Sequence, residues 1–72
     1  MKQPSFADYL DGLRKIKKIT PDEAERVIVT RYPLGRFYTI ENRMYIGIDN
    51  IDGDAWVEEF RSLSSCKRWL NS

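Results

Sequence analysis

The spacing of apolar residues changes near Arg36, and this change constrains the fold more than any other feature of the sequence. Before Arg36, apolar residues recur every three or four positions, which predicts helices. After Arg36, apolar and polar residues alternate, which predicts strands. Both patterns lie within 72 residues, a length that supports one domain with a small core. The sequence therefore predicts a single α+β domain over residues 1–72.

The first 35 residues are predicted to form a helical hairpin. Its first helix covers residues 4–18, and the apolar stripe of that helix comprises Phe6, Tyr9, Leu10, Leu13 and Ile16. Its second helix begins after Thr20, because Thr20 and Glu23 can form a capping box around Pro21. The β-branched run 27–30 lowers helix propensity, so a strand that begins near Arg26 is an alternative to the second helix.

Residues 36–61 are predicted to form a three-stranded antiparallel sheet, with strands at 36–41, 44–49 and 55–60. The turns between them are Asn42-Arg43 and Asp52-Gly53. A two-residue first turn places Phe37 opposite Ile48, Tyr38 opposite Gly47 and Glu41 opposite Met44. Residues 62–72 are predicted to form a C-terminal helix, capped by Ser62 or Ser64.

Both faces of the predicted sheet are apolar or aromatic. One face carries Phe37, Thr39, Met44, Ile46, Ile48 and Val57, and the other carries Tyr38, Ile40, Tyr45, Gly47, Trp56 and Phe60. One interpretation of the second face is a small core in which a tryptophan packs over Gly47. The other is an exposed aromatic surface that binds a partner, because Tyr and Trp dominate binding hot spots.

The residues that could act in catalysis or bind a metal ion do not indicate either kind of site. The sequence has no His, a single Cys66, and no run of apolar residues long enough to span a membrane. The acidic run 49–54 does not place a Glu at the twelfth position of a calcium loop. We therefore expect a cytoplasmic protein that is not an enzyme and that uses neither a cofactor nor a metal.

Two surfaces are candidates for binding a partner. The first is the aromatic sheet face with Tyr38, Tyr45 and Trp56. The second is the basic side of the hairpin with Arg14, Lys15, Lys18, Arg26 and Arg31. The chain has 12 Lys and Arg against 11 Asp and Glu, and acids lie on the same predicted helices as the basic residues. Binding to nucleic acid is therefore less expected than binding to a protein, and a homodimer also fits.

The second half of the chain resembles small proteins of phages and mobile elements of Gram-positive bacteria. The resemblance lies in Phe37 to Glu41, Tyr45 to Asn50, Asp52 to Phe60 and Cys66 to Leu70. It implies a β-meander followed by a helix, and an accessory protein that binds and inhibits or redirects a host protein. Such proteins include anti-CRISPR inhibitors, so a host-defence or nucleic-acid-handling complex is an expected partner. The alternative function is a small DNA-binding transcriptional or recombination factor that uses helices one and two.

Overall fold

The computed structural model describes residues 14–72 as a mixed four-stranded sheet with two helices. The elements in chain order are β1 (Ile16–Lys18), α1 (Pro21–Thr30), β2 (Gly35–Glu41), β3 (Met44–Asn50), β4 (Trp56–Phe60) and α2 (Leu63–Leu70). The strands lie side by side in the order β1-β2-β3-β4. β1 runs parallel to β2, and the other neighbouring pairs are antiparallel.

The predicted N-terminal helical hairpin with a three-stranded antiparallel sheet is wrong. Ile16–Lys18, assigned to the end of the first helix, forms a strand that pairs with Arg36 to Tyr38 of β2. Backbone pairing with the open edge of β2 outweighs the local helical spacing, and lysines are common on such edge strands. The rest of the predicted first helix lies outside the described residues.

The helix α1 begins where the sequence predicts. Thr20 is its N-cap and forms a capping box with Glu23, and Pro21 is its first residue. The alternative of a strand from Arg26 is not adopted, although the second half of α1 is rich in β-branched residues. Ala24 and Val27 are buried against the sheet, and this tertiary packing outweighs the lower helix propensity.

The register predicted for the first two antiparallel strands is confirmed. Phe37 pairs with Ile48, Tyr38 with Gly47, and Glu41 with Met44. The turn residues Asn42 and Arg43 have φ of 53° and 64°, as a two-residue type I′ turn requires.

The connection between β3 and β4 is wider than the predicted two-residue turn. It spans residues 51–55, and the buried Asn50 holds it in place. The Asn50 side-chain amide donates to the Pro33 carbonyl over 2.9 Å, and its oxygen accepts from the Ala55 amide over 3.1 Å. These two bonds satisfy a side chain that has no solvent exposure. The loop before β2 and the loop before β4 are thereby joined to the same residue.

The two helices pack on opposite faces of the sheet. α1 lies mainly on β2 and β3, where Ala24 and Val27 contact the buried pair Phe37 and Ile48. We call this side, which also carries Thr39, Ile46 and Val57, the α1 face. α2 lies on β3 and β4 on the opposite side, which we call the α2 face.

Gly47 allows α2 to approach the sheet closely. A Cβ atom at this position would lie 3.1 Å from Cys66 Sγ and 3.1 Å from two ring atoms of Trp69. The Trp69 ring also packs against Phe60, with ring centroids 5.7 Å apart. Cys66 and Leu70 have no solvent exposure. A tryptophan therefore does pack over Gly47, in the core arrangement that the sequence left open.

Replacing Gly47 with a large residue is expected to separate α2 from the sheet. Gly47→Leu should lower the free energy of unfolding by about 1–3 kcal/mol, because the side chain overpacks a closed contact. Urea denaturation measures this change. Cys66→Ala removes the nearest sulfur atom, so the double variant should recover part of the loss. An unchanged urea midpoint for Gly47→Leu would contradict the close packing.

The capping box predicts a pH dependence of stability. The backbone N–H and the hydroxyl of Thr20 donate to the Glu23 carboxylate over 3.2 Å and 3.0 Å, and these bonds lower the pKa of Glu23. A folded-state pKa below the unfolded value stabilises the protein above the unfolded pKa, and this contribution is lost as the pH falls through the folded pKa.

Glu23→Gln should therefore be less stable than the wild type at neutral pH, and the difference should close on acidification. Thermal unfolding followed from about pH 7 to about pH 3 tests this expectation. Glu25→Gln is the control, because the Glu25 carboxylate takes no part in the capping box. A difference for Glu23→Gln that stays constant with pH would show that the carboxylate charge is not involved.

Candidate functional site

The α1 face is only partly covered by its helix. α1 packs on β2 and β3, and the strip toward β4 stays open. Val57 on β4 is 43% exposed, and Ile28 on the neighbouring side of α1 is 39% exposed. Ile46, which pairs with Thr39, is half-buried between them. The fold therefore leaves an apolar strip beside α1.

Two adjoining cavities follow this strip, and together we call them the acidic groove. The first has a volume of about 320 Å³ and lies between α1 and the sheet. The second has a volume of about 280 Å³ and continues toward β4, sharing Glu41 and Ile46 with the first. The groove is lined by Pro21, Asp22, Ala24, Glu25, Ile28, Thr39, Glu41, Asn42, Met44, Ile46 and Glu59.

The charged residues of the acidic groove all have the same sign. Asp22 and Glu25 on α1 and Glu41 on β2 stand on one side of the floor, which we call the α1 wall, and Glu59 on β4 stands on the other side, which we call the β4 wall. Among the described residues that line the two cavities, none is Lys or Arg. Four carboxylates around an apolar floor attract cations and repel anions, and the concave, low-dielectric walls strengthen this potential. The groove is therefore complementary to a basic ligand with apolar groups.

A buried hydroxyl without a partner lies in the lining of the groove. Thr39 is 1% exposed, and its Oγ1 forms no hydrogen bond within the described part of the chain. The register places Thr39 beside Ile46 on the α1 face. An unpaired buried hydroxyl costs free energy, typically about 1–3 kcal/mol. The Thr39 hydroxyl is thus a second feature of the groove, independent of the acids, because it could form a hydrogen bond with a polar group of a ligand.

The acidic residues do not form a metal site. Within residues 14–72, no group of three or more His, Cys, Asp and Glu side chains is arranged to hold a metal ion. The four acids of the groove instead stand on two separate walls with apolar residues between them. Such spacing suits several positive charges distributed along a larger ligand.

The predicted basic residues fall in three places. Arg14 and Lys15 are exposed just before β1, and Lys18 is exposed at its end. Arg26 lies on α1, where it lines a separate cavity with Lys17 and Glu23. Arg31 is the C-cap of α1, at the opposite end from the capping box, with φ of 59°.

The predicted aromatic residues share the α2 face, but the helix packs among them. Tyr38 and Tyr45 are half-buried, and Trp56 on the edge strand is 63% exposed. In the register, Gly47 lies between Tyr38 on β2 and Glu58 on β4. Since Cys66 and Trp69 cover Gly47, part of this face is core.

The sequence analysis did not predict the acidic groove, although part of its lining could have been found. The predicted register already places Glu41, Met44 and Ile46 on one face. The rest of the lining was hidden, because the sequence does not predict which part of the sheet the helix with Asp22 and Glu25 covers.

Across the part of the chain that the structure describes, no helix is both long and apolar enough to cross a membrane. Comparisons with protein-family models, curated proteins and solved structures find no match to this chain.

Proposed function

We propose that this protein is a non-catalytic binding module that captures a basic segment of a partner protein in the acidic groove. The observation that carries the proposal is the groove itself, with four carboxylates on two walls and an apolar floor. The floor supplies burial of apolar groups, which contributes most of the affinity. The carboxylates select the charge of the partner and speed its association.

The phage-type hypothesis is the finer form of this proposal. In that form the partner is a host protein that the module inhibits or redirects. The most specific version of the hypothesis names a host-defence component as this partner. It rests on the resemblance of the second half of the chain. The acidic groove supports the coarser statement, the capture of a basic protein surface.

DNA binding through helices one and two is not proposed. That alternative required a helical hairpin, and Ile16–Lys18 is a strand. The helix α1 carries Asp22, Glu23 and Glu25 against Arg26, and a surface with this excess of acids repels the phosphate backbone.

Charge reversal in the acidic groove is expected to abolish capture of the partner. Glu25→Lys with Glu59→Lys places one lysine on each wall, and both positions are exposed, so the fold should tolerate the changes. Affinity capture from a host lysate, followed by quantitative mass spectrometry, compares this variant with the wild type. The captured amount of proteins that bind the groove should fall at least about tenfold, which corresponds to a loss of about 1.4 kcal/mol in binding free energy.

The adjacent residue of β4 offers a matched control. Glu58 and Glu59 are neighbours on the same strand, but their side chains point to opposite faces. Asp54→Lys with Glu58→Lys makes the same change of net charge outside the groove, so this variant should retain the captured proteins. Captured proteins that respond equally to both variants, or to neither, would contradict the proposal. Turnover of a substrate by less than equimolar protein would also contradict it.

Thr39→Val gives an independent prediction, because it removes the hydroxyl and keeps the shape of the side chain. The free protein should be equally or more stable in urea, since an unpaired buried hydroxyl is replaced by a methyl group. Binding of the captured partner, measured by calorimetry, should weaken if the partner satisfies the hydroxyl. A clear loss of stability in the free variant would show that the hydroxyl is already satisfied.

A further inference from the structure

The open strip of the α1 face has the width of one more helix. Neighbouring strands lie about 4.8 Å apart, so four strands span about 14 Å between the outer strand axes. Packed helices lie about 8–10 Å apart, so a four-stranded sheet accommodates two helices on each face. α1 is the one described helix on its face, and it covers β2 and β3. The space beside it, over β3 and β4, therefore matches a second helix.

The strip also has a usable length. On the α1 face, the strip runs from Met44 on β3 to the exposed Val57 on β4, which pairs with Ile48, four positions beyond Met44 along β3. Four steps along a strand cover about 13 Å, the length of about nine helical residues. This is between two and three turns, enough for apolar side chains at three or four successive contact positions of an amphipathic helix.

We propose that the occupant of the acidic groove is an amphipathic helix of the partner, with Lys or Arg on both flanks of its apolar stripe. The inference rests on the proposed function and names the structure of the captured segment. Docked beside α1, this helix would cover Ile46 and Val57 and complete a two-helix layer. Its basic flanks would face the two acidic walls.

The two walls favour a helix over an extended segment. Asp22, Glu25 and Glu41 stand on the α1 wall and Glu59 stands on the β4 wall, with Met44 and Ile46 of β3 between the two walls. A helix that lies in the groove presents an apolar stripe with charges on each side, so it meets both walls. A strand added to the outer edge of β4 would lie next to Glu59 but away from the α1 wall.

Neither the described helices α1 and α2 nor the sequence of residues 1–13 has the basic flanks that would match the acidic groove. Residues 1–13 contain Lys2 against Asp8 and Asp11, so their charge does not complement the acidic groove. The helix α1 has one Arg and three acids. The helix α2 carries Lys67 and Arg68, but its apolar side is already buried on the α2 face. On these charges we assign the helix to a different protein.

A designed peptide tests the inference on the intact protein. The probe is a 14-residue peptide with blocked ends, in which leucines recur at i, i+3, i+4 and i+7 and lysines flank them. The first control peptide has the same composition, scrambled so that leucines surround the helix. The second control peptide carries two central prolines, which prevent a helix. Fluorescence anisotropy measures the affinities, and NMR chemical shifts map the contacts.

The amphipathic probe is expected to bind at least about tenfold more tightly than either control peptide. The largest chemical-shift changes should fall on Ile28, Ile46 and Val57. Glu25→Lys with Glu59→Lys should weaken binding of the probe by at least about tenfold. The charge-matched Asp54→Lys with Glu58→Lys should change it by less than about threefold, as expected for charges outside the contact.

The opposite results distinguish the helix inference from the proposed function of the groove. If the proline peptide binds as tightly as the helical probe, or if the shifts map to the outer backbone edge of β4, the helix inference is overturned. The groove proposal then still stands, provided that Glu25→Lys with Glu59→Lys weakens binding. If no basic peptide responds to that variant and no captured protein depends on it, the proposed function is overturned as well.

Discussion

The packing of α1 on the cross-strand pair Phe37 and Ile48 determines much of the described structure. Both residues are buried beneath Ala24 and Val27, and few other apolar side chains in the described part are buried as deeply. Fully burying one such large side chain stabilises a protein by about 1.5–3 kcal/mol. In a chain of 72 residues this contact is a large share of the available stability. It places α1 over β2 and β3, and the groove is the remainder of that face.

The two faces of the sheet differ in how completely a helix covers them. On the α2 face, Gly47 lets Cys66 and Trp69 approach the strand closely, and the contact is closed. On the α1 face, Ile46 and Val57 leave an apolar surface beside the helix. Burial raises the pKa of the Cys66 thiol, which disfavours the reactive thiolate. The closed α2 contact therefore contributes to stability, and the open α1 face is the surface on which recognition is proposed.

The parts of the fold that the sequence predicts correctly depend on neighbouring residues. Thr20 and Glu23 define the start of α1 within one turn, and Asn42-Arg43 sets the register of β2 and β3. β1 has only three residues, and Ile16 also fits a helical stripe. Its extended form is stabilised by pairing with β2, which is 20 positions away in the register of Ile16 and Arg36. The spacing of apolar residues within one segment carries no information about a strand that pairs with it from so far away in the sequence.

The candidate site shows why the overall charge is a poor guide to the charge of any one surface. The chain has a net charge of +1. This sum shows that the surface as a whole is neither strongly basic nor strongly acidic, but it does not describe any one part of the surface. Folding separates the charges, so that Asp22, Glu25, Glu41 and Glu59 line one groove. A ligand responds to the charges within about one Debye length, roughly 8 Å at physiological salt, and not to the sum over the chain. A nearly neutral protein can therefore select a basic partner when its fold places acids on both sides of an apolar floor.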